Sequence, residues 1–114
     1  MIIFRVEHNR LRLQRMQVHV CESRLECGRG MLLRRRPDYQ TAFLLPRCSA
    51  IHTIGMHHPI DVLFCDARGR IISIREGLGP CRIARERQAH HVWELRAGGV
   101  QLHGWRVGDR IRPC

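Results

Sequence analysis

Pro59-Ile60-Asp61-Val62-Leu63-Phe64-Cys65-Asp66-Ala67-Arg68-Gly69-Arg70-Ile71-Ile72-Ser73-Ile74-Arg75 is the stretch whose reading decides the fold. Pro59 suits the entry to a strand, because it has no N–H to give to a ladder. The period-2 geometry of a strand then places Ile60, Val62 and Phe64 on one face. Leu63 and Cys65 make the opposite face apolar as well, so this strand is expected to be covered on both sides. Asp66-Ala67-Arg68-Gly69 supplies a turn in which Gly69 is free to take positive φ, and Arg70–Arg75 returns as the second arm with Ile72 and Ile74 aligned.

Outward from this hairpin, further short strands are expected over Ile2–Val6, Met16–Cys21, Ala42–Leu45, His90–Leu95 and Val107–Ile111, each bounded by Gly, Pro or charged residues. Ser23 with Glu26 forms a capping-box pair ahead of Leu25, Met31 and Leu32, which predicts a short helix near residues 24–34. A second helical turn is expected over Ala97–Gly104, although the Gly98-Gly99 pair opposes it. The sum is a mainly β fold, a small single-domain barrel or barrel-like sandwich with one or two short helical turns. A chain of 114 residues, 44% of them hydrophobic, is enough for one modest core without a metal or disulfide staple.

Composition narrows the function. Arg5 and Glu7 interrupt the opening Met1-Ile2-Ile3-Phe4, so no apolar run reaches signal-peptide or membrane-span length, and a cytoplasmic protein is expected. Six cysteines, Cys21, Cys27, Cys48, Cys65, Cys81 and Cys114, include no Cys-x-x-Cys pair, which favours buried reduced thiols over a disulfide framework or metal site. All 20 basic residues are arginine and the formal charge is +10, tilted towards the first third of the chain. Arg34-Arg35-Arg36 is suited to phosphate, but Tyr39 is the one aromatic residue near it. Weak non-specific attraction to nucleic acid is therefore expected rather than specific binding.

The segment just before the first strand carries the polar chemistry. Cys48-Ser-Ala-Ile-His52-Thr53-Ile-Gly55-Met56-His57-His58 supplies a thiol, ring nitrogens, a hydroxyl and loop amides. Asp61 shares a face with Leu63 and Cys65. Buried there, it needs donors, and the expectation is that it accepts backbone N–H groups and pins this loop to the sheet. The functional alternative is a rim pocket lined by Cys48, His52, Thr53 and Asp61, approached by Arg82 from the later Pro80-Cys81-Arg82 segment. Cys48 and His52 lie about 13 Å apart in an extended chain, too far for a thiolate–imidazole pair without a bend. His57-His58 and His90-His91 each offer one ligand at most if extended, and zinc spacings are absent, so neither metal nor another cofactor is expected. Glu94, between Trp93 and Leu95, is expected to pair with Arg82 or another arginine if it is buried.

The run Ile51–Asp66 matches the pattern Ile-His-Thr-x-Gly-Met-x-x-Pro-Ile-Asp-Val-x-Phe-x-Asp, and so resembles the small prokaryotic domain-of-unknown-function family 192. Arg29-Gly30, Leu44-Leu45-Pro46 with Cys48, Gly69, Pro80-x-Arg82, Glu94-Leu95, Ala97-Gly98 and Gly108-Asp109 continue the match, over roughly residues 17–112. The resemblance departs at His57, His58 and Cys81, where relatives commonly carry an aromatic or basic residue and a tryptophan. It implies a β-rich fold with structural roles for Arg29, Gly30, Gly55, Met56, Pro59, Asp66, Gly69, Glu94, Gly98, Gly108 and Asp109. It implies no particular reaction. The combined expectation is a non-catalytic small-ligand-binding or accessory protein, with an unidentified small ligand or protein as partner. The competing expectation is an enzyme or metalloprotein built on Cys48, His52 and Asp61.

Overall fold

The computed structural model describes residues 2–7, 13–21 and 38–111. The strands are β1 (Ile2–Glu7), β2 (Leu13–Val20), β3 (Thr41–Pro46), β4 (Ala50–His52), β5 (Ile60–Cys65), β6 (Ile71–Leu78), β7 (Ile83–Arg85) and β8 (His91–Arg96), followed by the short helix α1 (Gly99–His103). Six of the strands form one sheet in the order β1-β2-β3-β8-β5-β6, and β4 and β7 form a second, two-stranded sheet. All pairings are antiparallel except that of β2 with β3. Among the described residues the large sheet keeps two edges, β1 and β6, so the architecture there is mainly β and barrel-like without closing into a barrel.

The hairpin reading of the central stretch holds. Every residue of β5 is buried, because both faces of this central strand are covered. Its alternation splits the core in two. Leu63 and Cys65 join Met16, Val18, Trp93 and Leu95 under a cover made by Val100, Trp105 and Ile111. Ile60, Val62 and Phe64 join Phe43, Leu45 and Val92 under Ile51, Met56 and Ala84. We call these the α1 face and the small-sheet face. Burying two such apolar faces supplies the main drive for folding.

At the hairpin tip, Gly69 adopts φ +82°, and a Cβ there would collide with the Ile111 carbonyl oxygen. Glycine is required by conformation and by close approach alike. The Asp66 carboxylate closes the turn by accepting the amides of Arg68 and Arg70 at 2.9 and 3.0 Å. Slight burial pushes the Asp66 carboxyl up, but these amide bonds and the Arg70 and Arg68 charges outweigh it and hold the pKa below its ordinary value.

Three expectations are corrected. Ile72 and Ile74 do not share a face, because a register irregularity between Phe64 and Cys65 adds a residue on β6. Val107–Ile111 is not a strand. The chain turns at Gly108, with φ +97°, and only an Arg70–Arg110 bridge forms. The arm Arg70–Arg75 starts at Ile71 and runs on to Leu78. The helical turn expected over Ala97–Gly104 is the shorter α1, entered through Gly98 and left through Gly104, both left-handed. The helix expected near residues 24–34, with Arg29, Gly30, Cys27 and Arg34–Arg36, lies outside the described residues, as does Cys114. Among the described residues Cys48, Cys65 and Cys81 are free thiols. Burial, with Asp66 beside it, pushes the Cys65 thiol up to about 12.

Candidate functional site

Asp61 lies on the α1 face and is 1% exposed. Its Oδ1 accepts the Gly77 amide at 2.8 Å, and its Oδ2 accepts the amides of Gly98 and Val100 at 3.0 and 3.1 Å. Asp61 is therefore an anchor, but its anchorage differs from the expected one. It ties β5 to the bulged end of β6 and to the start of α1, and does not hold the Ile51–His58 loop. Gly77 takes φ +62° where the β5–β6 register shifts, which turns its amide towards the carboxylate.

The Ile51–His58 loop is held by Thr53 instead. Fully buried, Thr53 donates its hydroxyl to the Gly79 carbonyl at 2.6 Å and accepts the Arg82 amide at 2.8 Å. Its own backbone N–H bonds the Arg82 carbonyl at 2.8 Å, and its carbonyl takes the Cys81 amide at 3.1 Å. Thr53 thus fastens β4 to the strand-like approach of β7. Met56 fills the core beneath, while Gly55 turns the chain at φ +85°.

Of the five residues expected to line a rim pocket, the structure joins some and separates others. Thr53 and Arg82 meet through backbone groups and the Thr53 hydroxyl, and His52 pairs in register with Ile83 beside them. The side chains of His52 and Arg82 are exposed. Cys48 is half-buried and its thiol donates to the Ala50 carbonyl. Asp61 bonds a separate set of amides and shares no hydrogen-bond partner with Thr53 among the described residues. No group of three or more metal-ligating side chains gathers among the described residues.

A cavity of about 470 Å³ lies elsewhere, on the α1 face at the β6 edge. Ile74 and Glu76 of β6 form one wall, and Val100, Trp105, Arg106 and Val107 form much of the other. Asp61 ties the elements on its two sides together, bonding Gly77, directly after Glu76, in β6 and the amides of Gly98 and of the lining residue Val100 at the start of α1. Sequence reasoning missed the lining residues. The available signal was Trp105-Arg106-Val107, an aromatic, a charge and an apolar residue directly after a helix-ending glycine. Its apolar members divide between roles, with Trp105 buried and Val107 61% exposed.

Glu94 occupies the small-sheet face, between Phe43 of β3 and Val62 of β5. It is 6% exposed and its side chain makes no hydrogen bond or ion pair with another described residue, so the expected pairing with Arg82 is corrected. Burial alone pushes its carboxyl up to about 7. Gly108 and Asp109 shape a turn, in which Asp109 accepts the Arg106 amide at 3.0 Å. Pro59 is exposed immediately ahead of β5.

No curated protein matches the chain. Two solved structures share its fold. One, from Sinorhizobium meliloti 1021, is described as a putative transcription regulator, with 23% identity, a TM-score of 0.82, and 99% of this chain and 97% of that chain covered. The other is a protein of unknown function from Novosphingobium aromaticivorans DSM 12444, with 14% identity, a TM-score of 0.84, and 97% of this chain and 84% of that chain covered. The model of the DUF192 family, described as an uncharacterized ACR, matches residues 5–113. The mainly β architecture, the signature from Ile51 to Asp66 and this match over nearly the whole chain together make the protein a member of the DUF192 family.

Proposed function

We propose that this chain is a single, non-catalytic binding domain whose ligand enters the cleft between β6 and the segment from α1 to Val107. One observation carries the reading: the buried Asp61 carboxylate ties together the two elements that wall the cleft, β6 at Gly77, directly after Glu76, and the start of α1 at Gly98 and Val100. Three amides converging on one carboxylate hold these two elements together before any ligand arrives, which lowers the ordering cost of binding. The mixture of Ile74, Val100 and Val107 with Glu76, Gln101 and Arg106 suits an amphipathic ligand.

A catalytic reading of Cys48, His52 and Asp61 is less well supported. Both Asp61 oxygens are engaged by amides and the Cys48 thiol points to a carbonyl, so neither activates the other. The free thiols and the lack of a long apolar helix among the described residues support a cytoplasmic site of action. Fragment screening by heteronuclear NMR tests the proposal. Amphipathic fragments should shift the amides of Ile74, Val100 and Trp105, and Asp61→Asn should weaken them. Hits confined to His52, Thr53 and Arg82 would transfer the site to the small sheet.

One observation favours a second reading. Arg68, Arg70 and Arg110 gather at the hairpin tip, where the Arg110 Nε donates to the Arg68 carbonyl at 2.8 Å and Arg70 bridges Arg110. With the description of the Sinorhizobium neighbour, this supports weak, charge-driven contact with nucleic acid. A steep salt dependence without preference between duplex sequences is the expected result.

A further inference from the structure

The wall of the cleft that β6 supplies is also an edge of the six-stranded sheet. At the start of that edge the chain already adds a backbone partner to itself. The Ile71 amide donates to the Asp109 carbonyl at 2.7 Å, and the Ile71 carbonyl accepts the Gly108 amide at 2.8 Å, next to the antiparallel Arg70–Arg110 bridge. No strand among the described residues lies along Ser73–Glu76 on that side. An edge of this kind presents N–H and C=O groups spaced to receive another extended chain.

We propose that an extended peptide segment binds by strand addition to β6, running antiparallel to it and placing an apolar side chain in the cleft against Ile74 and Val107. This rests on the cleft being the binding site. Successive side chains of an added strand point to opposite faces, so every second residue faces the cleft and backbone hydrogen bonds hold the segment in register. Val107 is 61% exposed and offers that residue an uncovered apolar contact.

Charge selects the direction and the sequence. Glu76 lies towards the end of β6, whereas Arg106 lies in the turn that bonds Ile71 at its beginning. Arg75 does not neutralise Glu76 from the same side, because its guanidinium lies over Phe64, 5.7 Å from the ring centre, on the small-sheet face. An antiparallel segment enters beside Glu76 with its amino-terminal side and leaves beside Arg106 with its carboxyl-terminal side. The matching segment therefore carries a basic residue, then alternating apolar residues, then an acidic residue.

The probe is a short synthetic peptide with lysine near its amino end, alternating valine and threonine in its centre and glutamate near its carboxyl end. Its controls are the same peptide with the two charges exchanged, and one N-methylated on the edge that would donate to β6. The first peptide should bind about tenfold tighter than the charge-exchanged one, the product of two exposed ion pairs turned into two repulsions. The N-methylated peptide should not bind. The double variant Glu76→Lys with Arg106→Glu, both at exposed positions, should invert the charge preference while the fold, checked by its NMR spectrum, is retained. Equal binding of the N-methylated peptide, or a charge preference unmoved by the double variant, overturns strand addition. So does concentration-dependent self-association through β6 that the peptide cannot displace, which identifies a second copy as the occupant. Amphipathic fragments that shift Ile74 and Trp105 when no peptide binds defeat strand addition and leave the ligand cleft standing; silence from both defeats the cleft as well.

Discussion

Asp61 and Glu94 stand one rung apart on neighbouring central strands and point to opposite faces of the same sheet, since Asp61 pairs with Leu95 and Glu94 with Val62. Both carboxyls are almost completely removed from solvent. Asp61 is met by three amides, from Gly77, Gly98 and Val100. Glu94 is met by apolar neighbours, and burial raises its affinity for a proton instead. A buried carboxyl can be accommodated by donors or by a proton, and this sheet uses one solution on each face. Where donors converge, the chain builds a cleft. Where they do not, it acquires a dependence on pH.

The sharpest way to break this contrast is Asp61→Ala, which leaves three amides without an acceptor and should cost about 4 kcal/mol of unfolding free energy, seen as a lowered denaturant midpoint. Asp61→Asn, with one acceptor oxygen remaining, should lose about half as much. An unchanged midpoint for both would show that Asp61 anchors nothing.

The matching test on the other face is the pH dependence of stability. The folded Glu94 carboxyl titrates at about 7 against an ordinary 4.5, so between these values the folded protein holds a proton that the unfolded chain has released. The Glu94 contribution is thus fully present below about pH 4.5, declines as pH rises towards 7 and levels off above it, a loss of up to about 3 kcal/mol. Glu94→Gln should flatten that slope. A variant that keeps the slope would assign it to other groups.

Thr53 extends the comparison to a neutral anchor. Thr53→Val keeps the shape but strands the Arg82 amide and the Gly79 carbonyl, and should cost about 2 kcal/mol, while Thr53→Ser should recover most of it. The smallest effect is expected at His52→Ala and Arg82→Ala, where exposed side chains should change stability by no more than about 0.5 kcal/mol. A larger loss at either would mean that these side chains carry structural contacts beyond their strand positions.

The central hairpin could be read from sequence because its information is local: two apolar faces within Ile60–Cys65 and a glycine turn at Gly69. β4 and β7 could not, since strands of three residues are too short to show a period. The need of Asp61 for donors was readable, whereas its donors were not. They are backbone amides 16 to 39 residues further along, and backbone amides leave no mark on side-chain identity. The cleft was hidden for a related reason. It depends on where α1 lands after a left-handed Gly98, and on a bulge in β6 that sends Ile72 and Ile74 to different faces.

The position of β8 bears on how the molecule is made. The last strand of the described chain is inserted between β3 and β5, so β1–β2–β3 and the β5–β6 hairpin have no common border until residues 91–96 arrive. On a ribosome, these two fragments must wait with one long edge each uncovered while the rest of the polypeptide is synthesised. Completion of the large sheet is therefore a late, all-or-none event in biosynthesis, and a nascent chain halted before residue 91 should be digested by protease in both halves rather than leave a resistant core.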